Sequence, residues 1–214
     1  MSTQAGSFAK VTPPTFSKCS RRTRLFKQID SRKNLQIFWI AGAAGSGKTT
    51  LAGTYIDHLN QPCLWYQLDP GDNDPASFFY YLGLAAKKAV PKLRKPFPVL
   101  TPDYLPGLPV FSLRFFELLY NRLELPCVVV VDNYQELAED SPIHTLIRQG
   151  LEHLPEGVTV FLISRAQPPP ALARLKTQNR MEQLEWQDLR LTIDETRDIA
   201  SLRLKDSLDS QTIK

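Results

Sequence analysis

Five stretches of the chain place apolar side chains at nearly every position, and between them the apolar positions spread out to helical spacing. Leu35–Ile40, Cys63–Leu68, Cys127–Val131 and Val158–Ile163 are almost unbroken runs, and Met181–Trp186 is a weaker fifth. Short runs without alternation fit strands buried on both faces, as in the interior of a parallel sheet. The intervals read as helices. Residues 21–31 put Leu25, Phe26 and Ile29 on one face, and Thr49–Leu59 follows the first strand. A third helix opens at Asp74-Pro75, an N-cap followed by a proline at the first helical position, and runs through Ala89. Phe111–Leu123 and His144–Leu154 come next. The last begins at Thr192, where Thr192-x-x-Glu195 is a capping box. Alternating strands and helices predict an α/β fold with a parallel sheet covered on both sides. Pro91–Pro109, which holds six of the 17 prolines, interrupts the alternation and reads as an exposed, semi-rigid loop.

Composition places this pattern in one ordinary globular domain: 214 residues, 43% hydrophobic and 22% charged. No apolar run nears the roughly 18 residues of a membrane span, and the first ten residues lack the apolar segment of a secretory signal. A cytoplasmic setting without a membrane partner is therefore expected. Cys19, Cys63 and Cys127 are widely spaced with no CxxC pair, so they predict neither a metal site nor a disulfide framework. Charge is uneven. Residues 1–34 hold eight Lys/Arg (Lys10, Lys18, Arg21, Arg22, Arg24, Lys27, Arg32, Lys33) against Asp30 alone, which leaves the rest of the chain at −3 within a net +4. Without interleaved aromatic residues, this reads as a solvated arm, or one touching nucleotide phosphates, rather than a single-strand binder.

The chemistry concentrates after the first strand. Gly42-Ala43-Ala44-Gly45-Ser46-Gly47-Lys48-Thr49 fits G-x-x-x-x-G-K-[ST] in full, between a buried strand and a helix. Glycines let the backbone curl around an anion with its N–H groups inward, and the helix behind adds its positive end. Gly42, Ala44, Gly45, Ser46, Gly47, Lys48, Thr49 and Thr50 are the candidate phosphate contacts, with Arg22 added from the lead-in. Lys48 would neutralise the outer phosphates, and Thr49 would offer a hydroxyl to Mg2+. Val128–Val131 ends in Asp132, a carboxylate at a strand tip, the candidate second Mg2+ ligand. Leu162-Ile163-Ser164-Arg165 ends a second buried strand with an arginine that could sense a γ-phosphate.

Together these residues resemble the MalT-like branch of the STAND NTPases, which includes large LuxR-type activators. The likeness covers roughly residues 12–204. It begins at Arg22-Thr23-Arg24-Leu25 and is most specific at Trp65–Asp74, similar to a W-x-x-L-D-x-x-D-N segment. It continues through Asp132-Asn133-Tyr134, Ser164-Arg165, Pro168–Leu175 and the tail Asp188-Leu189-Arg190-Leu191-Thr192 with Glu195, where Leu191 replaces a phenylalanine. The resemblance implies a three-layer α/β/α P-loop NTPase (AAA-related) with a five-stranded parallel sheet in the order 5-1-4-3-2. It also implies an ATP/ADP switch with Mg2+, in which slow hydrolysis controls self-association. Contact with DNA would fall to domains outside this chain. The implied division is a basic lead-in with a short helix at 1–34, the nucleotide-binding domain at 35–204, and the start of a following segment at 205–214.

One departure affects the chemistry. The family usually has a second acidic residue after the Mg2+ aspartate, and this chain has Asn133. An amide cannot serve as a base, so binding with slow hydrolysis is expected unless Glu136 substitutes. Lys48, Asp132, Glu136 and Arg165 are thus the candidate catalytic residues. A small-molecule kinase or another metabolic P-loop enzyme is the alternative, with Lys92, Arg94 and Lys95 of the proline-rich loop as its lid candidates. A protein-interaction module with a structural nucleotide is a third reading.

Overall fold

In a computed structural model, residues 9–16, 19–32, 34–92 and 95–211 are described, residues 203–211 by their backbone alone. Lys18, Lys33 and Arg94 lie outside the described residues.

The sheet has five parallel strands: β1 Ile37–Ala41, β2 Cys63–Gln67, β3 Cys127–Asp132, β4 Val158–Ser164 and β5 Met181–Leu184. Their order, β2-β3-β4-β1-β5, is the expected one read from the other edge. The helices are α1 Thr23–Asp30, α2 Lys48–Leu59, α3 Pro75–Ala89, α4 Leu108–Tyr120, α5 Ile143–Glu152, and the short α6 Ala173–Thr177 and α7 Trp186–Leu189. α8, Ile193–Gln211, closes the described chain.

Alternation along the strands divides the core. Trp39, Tyr66, Val129, Val131 and Leu162 pack against α3, α4 and α5, while Phe38, Ile40, Val128, Val130 and Phe161 pack against α1 and α2. This is the three-layer arrangement that continuous apolar strands require, since neither face can meet water. No helix among the described residues is long and apolar enough to cross a membrane.

Local signals set the helix starts. Asp74 caps α3 by accepting the Ser77 amide hydrogen at 2.9 Å, with Pro75 behind it. Thr192 and Glu195 exchange the two bonds of their capping box at the start of α8. Two elements differ from expectation. β5 stops at Leu184 because Glu185 and Asp188 form a second capping box that opens α7, leaving Trp186 exposed. The proline-rich segment is not wholly exposed. Leu100 is buried, Phe97 packs on Phe115 at 5.2 Å, and Pro102–Gly107 forms a 3-10 turn leading into α4.

Part of the basic lead-in is paired with the body of the protein, although Arg21, Arg24, Lys27 and Arg32 keep exposed surface. Lys10 is buried against Asp69 and Asp72, Arg22 and Arg24 reach the segment 188–195, and Arg32 pairs with Glu182. Phe16 lies over Gly53 of α2, where a Cβ would meet its ring at 1.8 Å, and it also faces Trp65.

Candidate phosphate-binding site

The loop Gly42–Gly47 leaves β1 and turns into α2 at the C-terminal edge of the sheet. Gly45 and Gly47 have φ of +76° and +83°, the left-handed region that side chains with a Cβ rarely adopt, so the loop's path needs glycine there. Gly42 is tied to the neighbouring strand, its N–H donating to Ser164 O at 3.3 Å. Ala44 and Gly45 are exposed, and Ser46 and Thr50 are half-buried.

Lys48 begins α2 and folds back over the loop. Its Nζ donates to Gly42 O at 2.7 Å, to Ala43 O at 2.8 Å and to Ser46 Oγ at 3.3 Å. Burial lowers its pKa below the ordinary lysine value, Asp132 opposes that shift, and Arg165 adds slightly to it. Three cationic and anionic side chains from three strand ends thus share one field.

Thr49, the next residue, donates its hydroxyl to Asp132 Oδ2 at 3.0 Å. Asp132 Oδ1 accepts the Asn133 amide hydrogen at 2.8 Å. Asp132 is only 4% exposed, and burial raises its pKa; these two hydrogen bonds and the Lys48 charge partly counter the rise. The pair offers hard oxygen donors of the kind that Mg2+ prefers. Among the described residues, no three His, Cys, Asp or Glu side chains gather as a metal cluster, so a Mg2+ here would complete its shell with water or ligand oxygens.

The other expected residues divide. Arg165 projects from the tip of β4, exposed, and its side chain makes no hydrogen bond or ion pair among the described residues. Glu136 is half-buried on the turn after β3, its carboxylate 3.3 Å from Gln135 Nε2. The Arg22 guanidinium is engaged by the segment 189–195. It donates to Leu189 O at 2.8 Å, to Arg190 O at 3.0 Å, and pairs with Glu195 at 3.1 Å. Burial would raise the Glu195 pKa, but hydrogen bonds from Arg22 and the Thr192 amide, with the Arg22 and Arg24 charges, outweigh it and hold the carboxyl below its usual value.

That clamp walls a cavity of about 420 Å³ opening beside Gly45–Gly47 and Thr50, closed on the far side by Trp186, Leu189 and Ile199. Sequence patterns did not mark this cavity. Its walls come from the lead-in, α2, α7 and α8, which only the fold brings together.

Comparison with known proteins follows the same lines. The family model for the N-terminal region of Nephrocystin 3 matches residues 18–94. The HTH-type transcriptional regulator MalT of Vibrio cholerae is 34% identical over 196 residues, covering 89% of this chain and 21% of the relative. MalT of Serratia proteamaculans is 30% identical over 192 residues, with the same coverage. The chain therefore spans about a fifth of the length of these relatives. Among solved structures, the Aeropyrum pernix ORC1 protein in complex with DNA superposes with a TM-score of 0.54 at 16% identity, covering 92% of this chain and 52% of that one. The likeness is one of fold.

Proposed function

We propose, for a chain with the P-loop NTPase fold that is related to the MalT regulators over 89% of its length, that it binds ATP or ADP with Mg2+ as the nucleotide switch of a larger transcriptional regulator. The observation that carries this reading is the 3.0 Å approach of Thr49 Oγ1 to Asp132 Oδ2 directly behind the glycine loop. Residues 83 positions apart have no local reason to meet there, and the pair is what a phosphate-bound Mg2+ needs from a protein.

The division of labour follows from position. The amides of Gly45, Gly47 and Lys48 face the phosphates at the start of α2, where the helix dipole favours negative charge, while the Ser46 N–H donates to Ala43 O at 3.3 Å. Lys48 moves from its carbonyl partners to phosphate oxygens, a gain because an ammonium facing neutral dipoles gives up little in meeting an anion. Thr49 and Asp132 hold Mg2+, which when bound neutralises charge on the outer phosphates. Arg165 is free to meet a γ-phosphate. The cavity beside Gly45 takes the nucleoside, with the Arg22 clamp as its wall. Hydrolysis is slow because Asn133 cannot accept a proton from water, and Glu136 is the remaining carboxylate on that turn. Nucleotide state then governs self-association, and DNA contact belongs to other parts of a relative-length protein.

Calorimetry with ATP and ADP, each with and without Mg2+, tests the assignment. Binding of both nucleotides is expected, with the Mg2+ dependence lost in Asp132→Asn; no heat with either would defeat it. Asn133→Asp should raise single-turnover hydrolysis by about 10²-fold. A wild-type turnover above about 1 s⁻¹, an ordinary enzyme's rate, that Glu136→Gln leaves unchanged would sink the slow-switch reading.

A further inference from the structure

A single side chain ties the turn after Asp132 to the tip of β4. Gln135 Oε1 accepts the Arg165 backbone hydrogen at 3.0 Å, while its Nε2 lies 3.4 Å from Asn133 Oδ1 and 3.3 Å from Glu136 Oε1. The orientation of this amide is determined. A backbone N–H can only donate, so the oxygen must face Arg165 and the two amide protons must face the other way. There they meet two acceptors. One residue thus touches the backbone of the arginine, the Asn133 amide and the Glu136 carboxylate. The Nε2 contacts are long for N–H···O bonds, which leaves the turn room to shift.

The turn is also braced from below. Tyr134 is buried, edge-on to Trp39 at 4.9 Å and stacked on His144 at 5.5 Å. His144 Nε2 donates to Ala138 O at 2.8 Å, which in the neutral imidazole leaves Nδ1 to accept the Tyr134 hydroxyl at 3.1 Å. With Tyr134 held, Gln135 is the part of the turn that communicates sideways.

We propose that Gln135 is a positioning residue coupling the 133–136 turn to Arg165, so that this site binds ATP more tightly than ADP and does so only with the Gln135 amide as well as the Arg165 guanidinium. Gln135 need not touch the nucleotide. Its loss lets the Arg165 backbone drift, and the long side chain amplifies the drift at its far end. The inference rests on the nucleotide-binding reading above, and the two can fail separately.

The test measures ATP and ADP affinities with Mg2+ for the wild type, Gln135→Ala, Gln135→Glu, Arg165→Ala and the Gln135→Ala/Arg165→Ala double variant, with thermal denaturation as the check on folding. Arg165→Ala should lower the ATP-over-ADP preference about tenfold, the loss of one charge-assisted contact. Gln135→Ala should lower it about three- to tenfold, with ADP affinity moving less than about twofold. The double variant should fall no further than Arg165→Ala alone, because the two residues act in series. Gln135→Glu keeps the acceptor facing Arg165 but sets a carboxylate oxygen against Asn133 Oδ1 and the Glu136 carboxylate, so it should lower the preference as Gln135→Ala does. Equal weakening of ATP and ADP in Gln135→Ala, multiplied losses in the double variant, or an unchanged preference in Arg165→Ala would each overturn the coupling. A wild type that binds neither nucleotide would instead remove the site reading beneath it.

Discussion

Two clusters of lysine and aspartate lie past strand ends at the same edge of the sheet, and they are built to opposite purposes. Around Lys10 the polar groups turn inward. Its ammonium meets Asp69 at 2.8 Å and Asp72 at 2.7 Å and sits 4.2 Å from the Tyr81 ring centroid. Asp72 has no exposed surface; the Tyr66 hydroxyl adds to one of its oxygens at 2.6 Å and the Asp69 amide to the other at 2.8 Å. Around Lys48 the ammonium meets only neutral oxygens, and among the described residues it has no ion pair. Asp132 likewise keeps its charge unmatched by a direct cation. A closed charge cluster fixes a segment in place, while an open one keeps its field for a ligand.

Lys10→Met pushes this contrast hardest. It keeps the buried stem and removes the charge, leaving Asp72 with its hydroxyl and amide donors only, so stability should drop by about 3 kcal/mol, the lower end for breaking a buried pair. Nucleotide affinity should hardly move; chemical denaturation beside calorimetry would reveal any mixing of the two roles. Lys48→Ala should do the reverse. Affinity for ATP should fall roughly 10- to 100-fold, the worth of one or two charge-assisted bonds, with melting temperature level or slightly higher. A large stability loss in this variant would erase the distinction between the clusters.

A smaller effect concerns pH. Because the folded-state pKa of Asp132 is raised above 3.8, the folded chain holds a proton that the unfolded chain has already released. Stability from this carboxyl therefore declines as pH climbs upward from 3.8 toward the folded value, the opposite of a paired aspartate. Asp132→Asn should flatten that decline in urea titrations run from about pH 4 to about pH 7. An unchanged slope would mean that the carboxyl is better satisfied than its surroundings indicate.

Most of the sheet was legible because inner parallel strands leave a strong mark, such as Val128–Val131 running unbroken into Asp132. The glycine loop was legible for a related reason: its backbone requirement restricts residue type at fixed spacing. Lys10 was not. Its partners stand 62 residues away at Asp72, and nothing local separates a buried ammonium from a solvated one. Arg22 reads from the sequence as a candidate phosphate contact, whereas its engagement with Leu189, Arg190 and Glu195 depends on how α1 and the 185–195 segment dock. The apolar pattern extends β5 two residues too far because Trp186 reads as core, whereas the Glu185–Asp188 capping box ends the strand. Apolar character records a tendency to be buried; the capping bond decides where the chain turns.

The contact between Phe16 and Gly53 joins the lead-in to the helix that rises from the phosphate loop. Gly53 supplies a socket with no room for even one methyl group, and the aromatic ring is its plug. A shift of that helix along its axis would meet the plug, and Cys19 and Ser20, a few residues further on, line the cavity beside the glycine loop. Any side chain at position 53 would have to expel that ring, so the fit of the lead-in on this helix is written into the choice of glycine.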